Sequence, residues 1–241
     1  MSHPPLIETV GLIKHFGGMQ AIRGVDFSLE EGEIRCLIGP NGAGKSTFFK
    51  LLTGQIKPTG GSVRFRGIDI TALQAHEIAR LGIGIKTQQP SVFNGLSVHE
   101  NLWIAAARHK KGKAIGQSVD AQVERLSLGG LVNSLAGQLA HGQRQWVELG
   151  LVLCGDPELI LLDEPAAGMT EEERVRTAAL ILEINRQHPI IVVEHDMSFI
   201  RSIAQRITVF NQGTILTEGG VEQVFSDRAV RDVYLGKRAA A

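Results

Sequence analysis

Ile34-Arg35-Cys36-Leu37-Ile38-Gly39-Pro40-Asn41-Gly42-Ala43-Gly44-Lys45-Ser46-Thr47 decides the fold. Its first five residues form a short run, apolar but for Arg35, bounded by Gly32 and Gly39, the pattern of a buried strand. Residues 39–46 match G-x-x-x-x-G-K-[ST], and a helical pattern follows from Lys45 to Leu52, with Gly54 at the C′ position. A strand before the motif and a helix after it distinguish this pattern from chance spacing. Gly39, Gly42 and Gly44 let backbone N–H groups converge on phosphate oxygens, and the helix N-terminus adds its positive dipole end. Lys45 can reach the outer phosphates and the Ser46 hydroxyl can ligate Mg²⁺. Gly39, Pro40, Asn41, Gly42, Ala43, Gly44, Lys45, Ser46 and Thr47 are therefore the expected phosphate-binding run.

Working outward, residues 7–13 and 21–29 are β-like, and Pro58-Thr59-Gly60-Gly61 is a turn before a further strand and turn at 63–67. From Gln88 to Cys154 the periodicity becomes helical. Val98, Leu102 and Ala105-Ala106 share one face of a helix over 97–107, residues 119–128 repeat the theme, and Arg144 opens a helix that buries Trp146, Leu149 and Leu153. The polar stretch Arg108-His109-Lys110-Lys111-Gly112-Lys113 between the first two is expected to be a solvated loop. After Gly155-Asp156-Pro157, strand–helix alternation returns. Leu159-Ile160-Leu161-Leu162 and Ile190-Ile191-Val192-Val193 are continuous apolar runs suited to parallel strands covered on both faces. Thr170 and Glu173 form a capping box opening a helix to about Asn185, Val209 to Ile215 suggests a hairpin, and a short helical tail follows. The expected organisation is residues 1–87 as an N-terminal β unit with the first part of an α/β core, 88–155 as an inserted helical unit, and 156–241 as the rest of the core.

Asp163-Glu164 closes the 159–162 strand. An acid there can hold a magnesium shell through water, and a second can polarise an attacking water. His195 follows the 190–193 strand, at the carboxyl edge where open α/β sheets bind ligands, and is expected to contact a terminal phosphate. The balance of 25 Lys+Arg against 25 Asp+Glu disfavours a nucleic-acid partner. With 43% hydrophobic and 21% charged residues among 241, the chain is globular rather than disordered. Cys36 and Cys154 form no CxxC pair and are expected as reduced, buried thiols. No apolar run is long enough to span a membrane, and the N-terminus lacks signal-peptide character, so a membrane role is expected to come through a partner.

These motifs together resemble the ATP-binding subunits of ABC transporters over nearly the whole chain. The resemblance implies a P-loop NTPase core carrying an N-terminal antiparallel β subdomain and an inserted α-helical subdomain. Leu139-Ala140-His141-Gly142-Gln143 stands where that family has its LSGGQ signature, Gln88 at the Q-loop position (with Gln89 beside it), His195 at the switch histidine, and Phe16 at the aromatic that stacks on adenine. The resemblance implies Mg²⁺-dependent ATP hydrolysis. Ser46, Gln88 and Asp163 (through water) would hold the metal, and Glu164 and His195 would be catalytic. Ala140, His141, Gly142 and Gln143 would meet ATP bound to a second ATPase subunit, identical or different. It further implies integral-membrane permease subunits, an extracytoplasmic solute-binding protein acting indirectly, and a location on the cytoplasmic face of the membrane. His141 to Trp146, Ala167 to Thr170 and Val193 to Met197 resemble the urea-type member of the branched-chain amino acid uptake group. Urea or a related small polar solute is thus expected, with branched-chain amino acids as the alternative. A non-transport ABC ATPase or a non-hydrolysing ATP-binding regulator is the alternative from another class. Ala140 replaces the usual signature Ser, His141 a Gly, and Met169 the D-loop Asp.

Overall fold

The computed structural model describes residues 4–88 and 91–235. The apolar run after Gly32 becomes β3 (Ile34–Ile38), in which every residue is buried. It lies inside a six-stranded sheet of order β10-β9-β3-β8-β7-β6. β6 (Ile83–Lys86), β7 (Leu159–Asp163), β8 (Ile190–Val193), β3 and β9 (Arg206–Asn211) run parallel, and β10 (Thr214–Gly219) adds an antiparallel edge. A second, antiparallel sheet has the order β2-β1-β4-β5, from β1 (Ile7–Phe16), β2 (Met19–Leu29), β4 (Gly60–Phe65) and β5 (Ile68–Asp69). Both the α/β core and the antiparallel β unit thus match the expected fold class.

Strand periodicity divides the core. Leu37, Leu159, Leu161, Ile191 and Val193 face the antiparallel sheet and α1 (Lys45–Leu52), while Cys36, Ile38, Ile160, Leu162, Ile190 and Val192 face the opposite helical layer. Phe48 on α1 joins the two sheets, its ring 5.3 Å from Phe27 and 5.0 Å from Phe210. Arg35 is buried among these apolar residues because Glu33, Glu218, Thr208 and the Ser28 carbonyl take its donors, the pairing a buried guanidinium requires.

The first small helix, α2 (Ala75–Arg80), precedes β6. Between β6 and β7 the chain forms α3 (Val98–Ala107), α4 (Lys113–Arg125) and α5 (His141–Leu153), which pack on one another. Ser97 caps α3, accepting from the Glu100 amide. Two helices begin earlier than the sequence predicts: α4 at Lys113 and α5 at His141 rather than Arg144. α5 opens on the polar turn His141-Gly142-Gln143-Arg144, so apolar periodicity signals it only one turn later, and in α4 the apolar period is interrupted by Gly116 and Gln117 after Ile115. The Arg108 to Lys113 stretch is consequently a loop only up to Gly112, and Lys110 donates to the Cys154 carbonyl rather than to water alone. α6 (Glu171–Asn185) starts at the predicted Thr170–Glu173 capping box. α7 (Met197–Ile203), α8 (Val221–Ser226) and α9 (Arg228–Leu235) complete the chain. Both cysteines are buried and free. Among the described residues, no helix is long and apolar enough to cross a membrane.

Candidate nucleotide site

The site lies at the carboxyl edge of the parallel sheet, where β3 runs into the glycine loop, β7 ends at Asp163 and β8 runs into Glu194 and His195. After β3 the backbone turns through Gly39 (φ 147°), Gly42 (φ 78°) and Gly44 (φ 108°). Two of these glycines are required twice over. A Cβ on Gly39 would sit 2.2 Å from the Phe210 carbonyl oxygen, and one on Gly44 would sit 2.9 Å from that of Ala21, on backbone that L side chains rarely adopt. The loop is pinned to the β9–β10 turn by the Gly213 amide, which donates to Ala43. Lys45 folds back over this loop, its ammonium 2.6 Å from the Gly39 carbonyl oxygen and 3.1 Å from that of Pro40. Burial lowers its pKa, and the nearby carboxylates of Glu164 and Asp163 oppose that shift. An ammonium held by carbonyls at the mouth of an amide-lined loop is placed to take an anion. Asn41, Gly42 and Ser46 are exposed on its rim, and Thr47 is half-buried in α1.

Asp163 ends β7, two strands from the loop in the sheet order. Burial pushes its carboxyl up to about 6, with the Glu164 charge adding to the effect. Its Oδ1 is buried and has no hydrogen-bond partner among the described residues. A carboxylate oxygen so placed fits a cation such as Mg²⁺. Among the described residues no group of three or more His, Cys, Asp or Glu could by itself hold a metal ion. Glu164 follows in left-handed backbone (φ 48°), a conformation costly for a residue with a Cβ. Its amide is anchored to the Val193 carbonyl at 2.9 Å. This turn directs the carboxylate toward His195, whose Nδ1 is 3.6 Å from Glu164 Oε1.

One buried carboxylate that ties the site's loops together is missed by the sequence reading. Glu194 is 1% exposed, accepting from the Ala166 amide with Oε1 and from the His195 and Asp196 amides with Oε2. It ties the Glu164 loop to the His195 loop. The only trace of this in sequence is an acid directly after an apolar strand, which reads equally well as an exposed strand end. His195 itself is exposed, and Asp196 caps α7 by accepting from the Ser198 and Phe199 amides.

The remaining predicted residues occupy three other places. Phe16 ends β1 with its ring exposed and Lys14 Nζ 5.1 Å above it. Gln88 is exposed just past β6, and Gln89 lies outside the described residues. Ala140 is the N-cap of α5, with His141, Gly142 and Gln143 in its first turn. The last three residues of the signature stretch are therefore helix, while Leu139 and Ala140 precede it. His141 does not simply face water, since its Nε2 is 2.9 Å from the Ala167 carbonyl oxygen. Met169 is 7% exposed, its sulfur accepting from the Thr177 hydroxyl, whose oxygen in turn accepts from Trp146 Nε1. The residue at the D-loop position is thus core packing within its own chain.

Comparison with known proteins bears on the family and the fold. The ABC transporter family model matches residues 22–167. The chain is 36% identical to the high-affinity branched-chain amino acid transport ATP-binding protein BraF of Pseudomonas aeruginosa, covering 97% of this chain and 98% of that one. It is equally similar to LivG of Escherichia coli, with the same coverage, and 32% identical to the lipopolysaccharide export ATP-binding protein LptB of Acidithiobacillus ferridurans over 96% of this chain and 97% of that one. The structure superposes on the ADP conformation of an ATP-binding cassette of an ABC transporter with a TM-score of 0.87 and 29% identity, over 97% of this chain and all of the other. A nucleotide-free ABC transporter cassette matches with the same score and coverage at 28% identity. From its phosphate loop to its signature helix, this chain belongs to the ABC transporter family as an ATP-binding cassette with ATPase activity.

Proposed function

We propose that the chain powers an importer of branched-chain or closely related amino acids by hydrolysing ATP at the β3–β7–β8 edge. One observation carries the catalytic part: Lys45, the orphaned oxygen of Asp163, Glu164 and His195 converge on one sheet edge. The loop amides of residues 39–47 hold the phosphates, and Lys45 exchanges the Gly39 and Pro40 carbonyls for β- and γ-oxygens. Phe16 stacks on the base. Ser46, Gln88 and Asp163, the last through water, are the residues that hold Mg²⁺, which neutralises charge between the outer phosphates when bound. Glu164 accepts a proton from the attacking water, and His195, held within 3.6 Å of Glu164, steadies the γ-phosphate. Replacing Glu164 with Gln keeps the shape and removes the base. Turnover should fall at least about a hundredfold while ATP affinity holds, and near-normal phosphate release by Glu164→Gln refutes the role.

Full-length similarity to BraF and LivG supports the amino-acid reading over a urea-type one. The urea-type reading keeps support from the stretches His141 to Trp146, Ala167 to Thr170 and Val193 to Met197. In both, the cassette pairs with a second cassette and works from the cytoplasmic face through permease subunits, with a solute-binding protein acting outside. Vesicles containing the purified transporter and its permeases decide: ATP-dependent uptake of labelled leucine supports the first, and uptake of labelled urea alone replaces it with the second.

A further inference from the structure

The signature turn is fastened to the catalytic loop of its own chain. His141 Nε2 lies 2.9 Å from the carbonyl oxygen of Ala167. Because that oxygen has only lone pairs to offer, Nε2 carries the proton. Ala167 is three residues past Glu164, and the loop between them is a closed turn: the Ala167 amide donates to the Glu164 carbonyl and the Met169 amide to that of Ala166. A displacement of the Ala167 carbonyl is therefore felt at Glu164. Gly168 makes room for the contact. Its φ is 70°, and a Cβ there would come within 3.1 Å of His141 Nε2. Gln145 lies 3.3 Å from the same nitrogen. A second tie joins the same helix to the same loop, from Trp146 through Thr177 to the Met169 sulfur.

We propose that His141 is a positioning residue. It fastens the helix that offers the signature to a companion cassette onto the loop that carries Glu164 in its own chain, so that the two half-sites of one chain move together. This rests on the two-cassette reading above. Contact across the pair then reaches the companion's nucleotide and the chain's own catalytic carboxylate through one rigid unit, which is a coupling between sites.

The rival is that His141 acts only across the pair, on the companion's phosphate. Two arrangements of the permease-bound transporter separate these, with the two cassettes tagged differently. In the first, this chain carries His141→Phe and the other cassette has its catalytic glutamate replaced by Gln, so the remaining turnover reports this chain's own site. In the second, both changes sit in this chain, and turnover reports the companion's site. The tether requires kcat to fall about fivefold in the first arrangement, the equivalent of one neutral hydrogen bond, with ATP KM unchanged. His141→Gln, which keeps a donor at the same reach, should restore it. Gly168→Ala, which wedges the contact open without touching His141, should reproduce the loss. Unchanged turnover in the first arrangement overturns the tether, whatever the second shows. In the isolated chain, the Ala167 carbonyl ¹³C resonance should move in His141→Phe and return in His141→Gln, and an unmoved resonance overturns the contact itself. A wild-type transporter that fails to hydrolyse ATP sinks the two-cassette reading instead and leaves the carbon resonance to judge the tether.

Discussion

Lys86 and Glu148 form a buried ion pair that is costly to hold and more costly to break. Lys86 ends β6 and Glu148 sits midway along α5, with side chains 3% and 1% exposed and a closest approach of 3.6 Å. That separation exceeds a good hydrogen bond, and Lys86 Nζ and Glu148 Oε1 have no hydrogen-bond partner among the described residues. Desolvation dominates both groups, lowering the lysine pKa and raising that of the glutamate. At 3.6 Å and an effective dielectric near 20 the attraction is about 5 kcal/mol, comparable to the several kcal/mol each ion loses on leaving water. The pair should therefore nearly break even. Removing one member strands the other, which can escape by changing its protonation state. For a lone Glu148, protonation at pH 7 from an ordinary value of 4.5 costs about 3.4 kcal/mol; for a lone Lys86, deprotonation from 10.5 costs about 4.8 kcal/mol. These are ceilings for the electrostatic loss in Lys86→Met and Glu148→Leu respectively. The double variant, with two apolar chains of similar volume, should lie within about 1 kcal/mol of wild type. Urea melts across pH add an internal check. The Lys86→Met penalty should shrink as pH falls toward 4.5, because Glu148 then protonates freely, and the Glu148→Leu penalty should shrink as pH rises toward 10.5. Additive losses in the double variant, or single-variant penalties indifferent to pH, would refute the reasoning.

Three further outcomes follow from the same geometry. Gly44→Ala forces a Cβ at φ 108° to within 2.9 Å of the Ala21 carbonyl oxygen and should cost about 2 kcal/mol or more and abolish tight ATP binding, read by thermal melts and a fluorescent nucleotide. Asp163→Asn should stabilise the nucleotide-free chain at pH 8. The wild-type carboxyl, raised to about 6 in the fold from 3.8, opposes folding when charged, by about 1–2 kcal/mol once its partial solvent contact is discounted; the gain should fade as pH falls through 6 and vanish below 3.8 in denaturant melts. Burial raises both thiol pKa values, that of Cys154 to about 11, so a disulfide reagent at pH 8 should label neither cysteine in the native chain and both in urea.

What was legible in the sequence was whatever depends on local backbone demands. The helix bounds of α1, the capping box at Thr170 and the all-apolar strands are each dictated by a few adjacent residues, and the phosphate loop needs its glycines for reasons visible one residue at a time. What escaped were polar groups whose partners lie far along the chain. Arg35 stands as the one charge in a run read as a buried strand, and only Glu218, 183 residues away, shows how it is paired there. Glu194 resembles a strand-end acid until Ala166 donates to it. His141 and Met169, read as departures from a family pattern, gain their meaning only when α5 is laid against the 164–169 loop and α6. The start of α5 was misplaced for a related reason, since Ala140, His141 and Gly142 carry neither a capping oxygen nor the apolar period that announces a helix.

That weak start is itself informative. Of the helices that open with a residue followed three places later by Glu or Gln, α3, α5 and α6 make the comparison. At α3 and α6 the box is complete: Ser97 and Thr170 accept from the Glu100 and Glu173 amides, and those glutamates accept in return. At α5 only one half exists. Gln143 Oε1 accepts from the Ala140 amide at 3.1 Å, but the Ala140 methyl can accept nothing, and the first amides of α5 have no side-chain cap. A missing cap of this kind costs about 1 kcal/mol. Ser at this position would add a hydroxyl that could donate to an anion, and the same oxygen would satisfy an amide of its own helix. Ala removes both. The free chain thus keeps more unsatisfied amide at the signature than a serine-capped helix would, while the His141–Ala167 contact holds that turn in place. On the two-cassette reading proposed above, an arriving phosphate would gain amides that no side chain contests, offsetting part of the lost hydroxyl. The same substitution that lowers the stability of the isolated helix therefore need not lower the affinity of the assembled site in proportion.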